Sequence, residues 1–111
     1  MAYDEDLANL VRECLADEDG ITEKRMFGGL AFLIGGNMAV AASGQGGLLV
    51  RVDPDESDAL LREPHTALME MRGREMAGWL RVVAAGAQNP EAVRPWVERG
   101  VAYARTLPPK S

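Results

Sequence analysis

The chain has 111 residues, of which 47% are hydrophobic and 26% charged, so one globular domain spanning residues 1–111 is expected and a disordered polymer is excluded. A single Cys excludes an internal disulfide, and one Cys with one His cannot supply the ligand set of a structural zinc site, so neither metal nor cofactor is expected. The net charge of −5 argues against a duplex nucleic-acid binder, which carries a basic stripe, and no apolar run approaches the roughly 18 residues of a membrane span.

The acid is unevenly placed. Residues 1–23 hold eight acids against Arg12 alone, whereas the remaining 88 residues hold nine acids and eleven bases. The opening Met1-Ala2-Tyr3-Asp4-Glu5-Asp6 is acidic, unlike a signal peptide, so a cytoplasmic location with Cys14 reduced is expected.

In chain order, Leu7, Leu10, Val11, Cys14 and Leu15 form one stripe of an amphipathic helix, with Asp4 as its cap. From Lys24 to Val52 the pattern is that of three strands. Met26 to Ile34 is the first, interrupted at Gly28-Gly29 by a bulge or close backbone approach. Gly35-Gly36-Asn37 turns into Met38–Ser43, and Gly44-Gln45-Gly46-Gly47 turns into Leu48–Val52, where Leu48, Val50 and Val52 share a face. Turns this short imply an antiparallel meander. Asp53-Pro54 opens a short helix through Arg62, and Ala67–Arg72 and Gly78–Ala84 read as two further strands. Pro95 places the start of the last helix near Arg94–Pro95, and Pro108-Pro109 ends it. The order α-β(3)-α-β(2)-α describes an α+β domain with helices packed on a curved antiparallel sheet.

The chemistry-bearing residues are few. Gly44-Gln45-Gly46 begins like a dinucleotide loop, but Leu49 stands where the third glycine is needed, and no glycine precedes a Walker lysine. Cys14 lies on an apolar helix stripe, where cysteine is inert, and His65 follows Pro64 in a loop. No catalytic residue is assigned. Arg25, Arg72 and Arg74 stand at strand ends that one small sheet gathers, and are the candidates for a shared interaction surface.

Arg25-Met26-Phe27-Gly28-Gly29-Leu30-Ala31-Phe32, Gly36-Asn37-Met38, Leu49-Val50-Arg51-Val52-Asp53 and Met71-Arg72-Gly73-Arg74-Glu75-Met76-Ala77-Gly78-Trp79-Leu80, in this order, resemble the TfoX/Sxy N-terminal domain family, with Trp96, Tyr103 and Leu107-Pro108-Pro109-Lys110 closing the likeness. The resemblance implies a fold like that of the secretion chaperones. It also implies a non-enzymatic module, as in the competence regulators that act as transcriptional co-regulators with the cyclic-AMP receptor protein. Those regulators carry a second domain that these 111 residues do not include. It brings no catalytic residues, and Met26, Phe27, Gly28, Gly29, Gly78 and Trp79 are read as structural. The expected partner is another protein or a second copy, without sequence-specific contact to DNA and without a membrane. A small anionic ligand on an Arg-bearing sheet surface is the alternative, and an unfamiliar enzyme the second alternative.

Overall fold

The computed structural model describes residues 4–26, 28–44, 46–83 and 87–108. The helix α1 (Glu5–Cys14) starts where Asp4 accepts from the N–H groups of Asp6 (2.9 Å) and Leu7 (3.2 Å), satisfying donors that the helix itself leaves unpaired. Four strands follow: β1 (Ile21–Met26), β2 (Gly29–Ile34), β3 (Asn37–Ala42) and β4 (Leu48–Arg51). A 3-10 turn (Pro54–Glu56) leads into the one-turn helix α2 (Ser57–Leu60), and Asp53 caps the turn by accepting from the Asp55 N–H at 2.9 Å. Strands β5 (Thr66–Met71) and β6 (Arg74–Val82) form a hairpin, and α3 (Pro90–Thr106) closes the chain, with Asn89 as its cap. The α+β class and the order of layers are as expected.

The six strands form one antiparallel sheet in the order β1-β2-β3-β4-β6-β5. The strand count corrects the expectation of five. Met26 pairs with Gly29, so β1 and β2 are two strands of a tight hairpin where a bulge in one long strand was expected. Gly28 has φ +74°, and Phe27, like Tyr3, Gln45, Ala84 and Lys110, lies outside the described residues. β1 hid from the pattern because Thr22, Glu23, Lys24 and Arg25 are all exposed; an edge strand open on both faces has no alternation to read. A bulge does occur, but one strand later, between Phe32 and Leu33.

The start of α3 is also corrected. The helix runs from Pro90, and Pro95 lies within it. Proline removes the bond from its own nitrogen to the carbonyl four residues back, here Glu91 in the first turn. Both Pro95 and Glu91 are exposed, so the disruption sits on the solvent side and the buried stripe Val93, Trp96, Val97, Gly100, Val101 and Ala104 continues past it.

The core lies between one face of the sheet and the pair α1 and α3. Phe32, Val40, Leu48, Val50 and Leu80 meet Val11 from α1 and Val93 and Val97 from α3, all fully buried. Each such side chain contributes about 1.5–3 kcal/mol on burial. At Gly100, α3 comes so close to β3 that a Cβ would collide with the Ala39 carbonyl oxygen, a backbone atom that cannot turn aside. We therefore expect Gly100→Ala to destabilise the fold by about 2–3 kcal/mol, even though alanine favours a helix over glycine by about 1 kcal/mol. Urea unfolding followed by circular dichroism measures it, and an unchanged or raised midpoint would show that α3 is free to shift on the sheet.

Candidate functional site

The other face of the sheet carries a second apolar cluster made wholly from strands: Ala31, Leu33, Met38, Ala41 and Leu49, edged by Met26, Met69 and Trp79. Its central residues are buried, Ala31 at 0% and Ala41 at 2% exposure, although the helices of the core lie on the opposite face. The sheet curls over them. A cleft of about 430 Å³ takes its walls from Met26 at the end of β1 and from Ala67 and Met69 of β5, strands that terminate opposite ends of the pairing order. Ala41, Leu49 and Arg81 also line it, as do Ser43 and Glu70. Methionine suits such a wall, since its unbranched thioether side chain adapts to irregular partners.

Arg51, on β4, reaches two aromatic rings. Its guanidinium carbon lies 4.5 Å from the centre of the Trp79 ring and 5.6 Å from that of Tyr103, so the charge is spread over two aromatic faces. Trp79 is directly opposite Arg51 in the β4–β6 register. Gly78 is tied in through its backbone. It has φ +85°, donates its N–H to Ser57 Oγ (2.8 Å) and accepts from the Val52 N–H (2.8 Å), and a Cβ there would lie 2.9 Å from the Val52 carbonyl oxygen. Met26 packs on the open-face cluster, and a Cβ on Gly29 would strike the Ala42 carbonyl.

The three arginines singled out from the sequence are exposed, and their places differ. Arg72 and Arg74 flank Gly73 at the tip of the β5–β6 hairpin, whereas Arg25 stands on β1, at the other end of the strand order, paired with the helix-side residue Leu30. The tip therefore gathers two of the three. Met71 pairs with Arg74, leaving Arg72 (φ +53°) and Gly73 (φ +78°) as the loop. Such a loop requires positive φ at both residues and favours Asn-Gly. Arginine in the left-handed region is strained by roughly 1–2 kcal/mol. Arg72→Asn should accordingly raise stability by about 0.5–1 kcal/mol, whereas Arg72→Ala, equally strained, should leave it near the wild-type value. Chemical denaturation of the two variants checks this, and equal midpoints for Asn and Ala would deny the strain.

Cys14 and His65 occupy separate places. His65 is exposed, with φ +68°, and its carbonyl accepts from the Val83 N–H. Cys14 packs against the core beside Leu15, Val97 and Val101, where burial pushes the thiol above its ordinary pKa and the Arg94 charge only partly opposes the shift. A raised pKa leaves less thiolate at pH 8, and thiolate is the reactive form. Maleimide labelling of the native protein at that pH should run several-fold slower than in denaturant, and equal rates would mean that the α1–α3 seam is open.

Among the described residues no group of three or more metal-ligating side chains assembles, and no helix is long and apolar enough to cross a membrane. The family model of the TfoX N-terminal domain matches residues 13–104. No curated protein matches the chain.

Proposed function

From the premise that this chain belongs to the TfoX N-terminal domain family, we propose that it is a non-enzymatic protein-interaction module, and that its partner docks on the helix-free face of the sheet. The observation that carries this reading is the strand-built apolar cluster beneath a methionine-walled cleft, on the side of the sheet away from the helices. The members of the cluster are themselves buried, so what a partner meets is the cleft wall, where half-buried Met26 and Met69 and exposed Ala67 and Val83 supply the apolar contact. Arg72 and Arg74, at the tip of the hairpin whose strands line the cleft, supply charge-assisted hydrogen bonds at its margin. The net charge of −5 favours recognition of a protein over duplex DNA, and a role as a cytoplasmic transcriptional co-regulator acting through that protein is consistent with the family. The non-enzymatic reading draws on the separation of Cys14, in the seam between α1 and α3, from exposed His65 in the loop before β5.

A second reading, a small anionic ligand, draws on Arg81 in the cleft wall, but Glu70 lines the same wall and opposes an anion.

The test is recovery of interacting proteins from the native cell with wild type and variants. Ala67→Glu places a charge at an exposed position of the cleft and should abolish recovery. The double change Arg72→Ala, Arg74→Ala should weaken it, and Arg25→Ala should leave it intact. Loss with Arg25→Ala and full recovery with Ala67→Glu would move the interaction to the other face.

A further inference from the structure

The two edges of the sheet are unlike. β1 reads Ile-Thr-Glu-Lys-Arg-Met, with three consecutive charges, whereas β5 reads Thr-Ala-Leu-Met-Glu-Met, with one charge and no proline. An unpaired edge offers a row of N–H and C=O groups to any passing strand, and folded proteins normally blunt it with charge, proline or a cover. β1 is blunted in this way and β5 is not.

The hydrogen-bond pattern shows which groups β5 offers. The Val83 N–H donates to the His65 carbonyl at 2.9 Å, which makes His65 and Val83 a hydrogen-bonded pair. Bonded and non-bonded pairs alternate along an antiparallel ladder, so Ala67, opposite Arg81, also bonds inward. The backbone groups of Thr66 and Leu68 then point away from β6; the register shifts between Leu68 and Met69, and beyond the shift the Met71–Arg74 pair that closes the two-residue turn bonds inward, which leaves Glu70 facing outward as well.

We propose that β5 is a self-association edge, and that two copies of this chain pair β5 with β5 antiparallel across a two-fold axis at Leu68. That register engages all three outward residues of each copy. It sets Leu68 against Leu68 and Glu70 against Thr66, with no like charges opposed. A β1 pairing centred on Lys24 would oppose two lysines at its centre, although it would set Glu23 against Arg25 on either side, and a β1–β5 contact would be heterologous and would not close. Val83, at 42% exposure the only large hydrophobic side chain exposed among the described residues, lies beside the end of this edge through its bond to His65. A single strand pair buries less than the roughly 1,200 Å² of a standard interface, so the dimer is weak and its dissociation constant micromolar. The proposal goes beyond the open-face reading: it concerns the edge, it sets two clefts side by side on one continuous sheet, and its failure leaves docking on each cleft untouched.

The test is sedimentation of the full chain from about 1 µM to about 1 mM at physiological salt, together with amide spectra over the same range. The expected result is a reversible monomer–dimer equilibrium in which the Thr66, Leu68 and Glu70 amides shift and gain exchange protection as concentration rises. Thr66→Glu opposes two pairs of carboxylates and should weaken dimerisation about 3- to 10-fold, while adding Glu70→Lys should restore it. Thr66 Oγ1 donates to the Leu60 and Glu63 carbonyls, so circular dichroism must first show that these variants fold; the wild-type amides decide the matter if they do not. A wild-type monomer throughout the range, a dimer that leaves those amides unmoved, or a folded charge swap that fails to restore pairing would each overturn the proposal.

Discussion

The contact between Gly100 of α3 and the Ala39 carbonyl of β3 sets the distance between the layers, because a backbone atom meets a backbone with no side chain between. Close approach at that point lets the residues around it interlock: Val50 Cγ1 lies 3.4 Å from where a Gly100 Cβ would be, and Val97 and Val101 are buried on the same helix. With α3 seated, its far end is tied at two further points. The Asn37 side-chain amide donates to the Pro108 carbonyl at 2.9 Å, and Arg105 bonds Glu18 at 2.8 Å and the Asp19 carbonyl at 3.2 Å. α1 joins through Leu7 and Val11, and Arg12 reaches Glu23 on β1 with two bonds of 2.8 and 2.9 Å. That exposed pair holds the Glu23 carboxyl below its ordinary pKa, chiefly through the hydrogen bond, and surface screening keeps its worth small.

Putting both long helices on one face has a consequence for the other. Leu33, Met38 and Leu49 are as apolar as the core proper, yet the cluster around them is built by strands alone and depends on curvature for its burial. Many of the acids lie away from this face, on α1, on the turn that follows it and on the Asp53–Asp58 segment. Beside the cleft stand Arg81 and Glu70, and near the hairpin tip Arg72, Arg74 and Glu75, the last directly opposite Glu70. A chain of net negative charge thus presents, on its helix-free side, a cleft of mixed polar and apolar lining over a buried apolar cluster.

Much of this was legible in the residues. Asp4 and Asp53 cap where the sequence placed caps, Gly35-Gly36 makes the two-residue turn between β2 and β3, and Leu48, Val50 and Val52 share the core face. These features rest on local rules: capping, positive φ and alternation of period two. β1 was not legible, because Glu23, Lys24 and Arg25 are exposed edge residues with no buried side to impose a period. The first five residues of α3 were not, because the proline rule weighs the lost bond and the ring clash but not the Asn89 cap and the buried stripe from Val93 onward that hold the helix together across them. The candidate site was legible only in part. Arg72 and Arg74 stand in adjacent places on the chain and meet at one turn, but Arg25 joined them by an assumption about the order of strands, and β5 and β1 turned out to be the two edges. The open-face cluster had a signal in Ala31, Leu33, Ala41 and Leu49, apolar residues that lie between core residues along strands buried on both faces.

The central claim is that the helices cover one face of the sheet and leave the methionine-walled face open to a partner. Methyl-labelled methionine spectra of the dilute protein, recorded with and without a soluble paramagnetic agent, test it most directly. Met26 and Met69, half-buried at the cleft walls, should broaden strongly, and Met38, at 4% exposure, should broaden least of the three. Uniform protection of Met26 and Met69 in the monomer would mean that this face is already covered, and would contradict the claim.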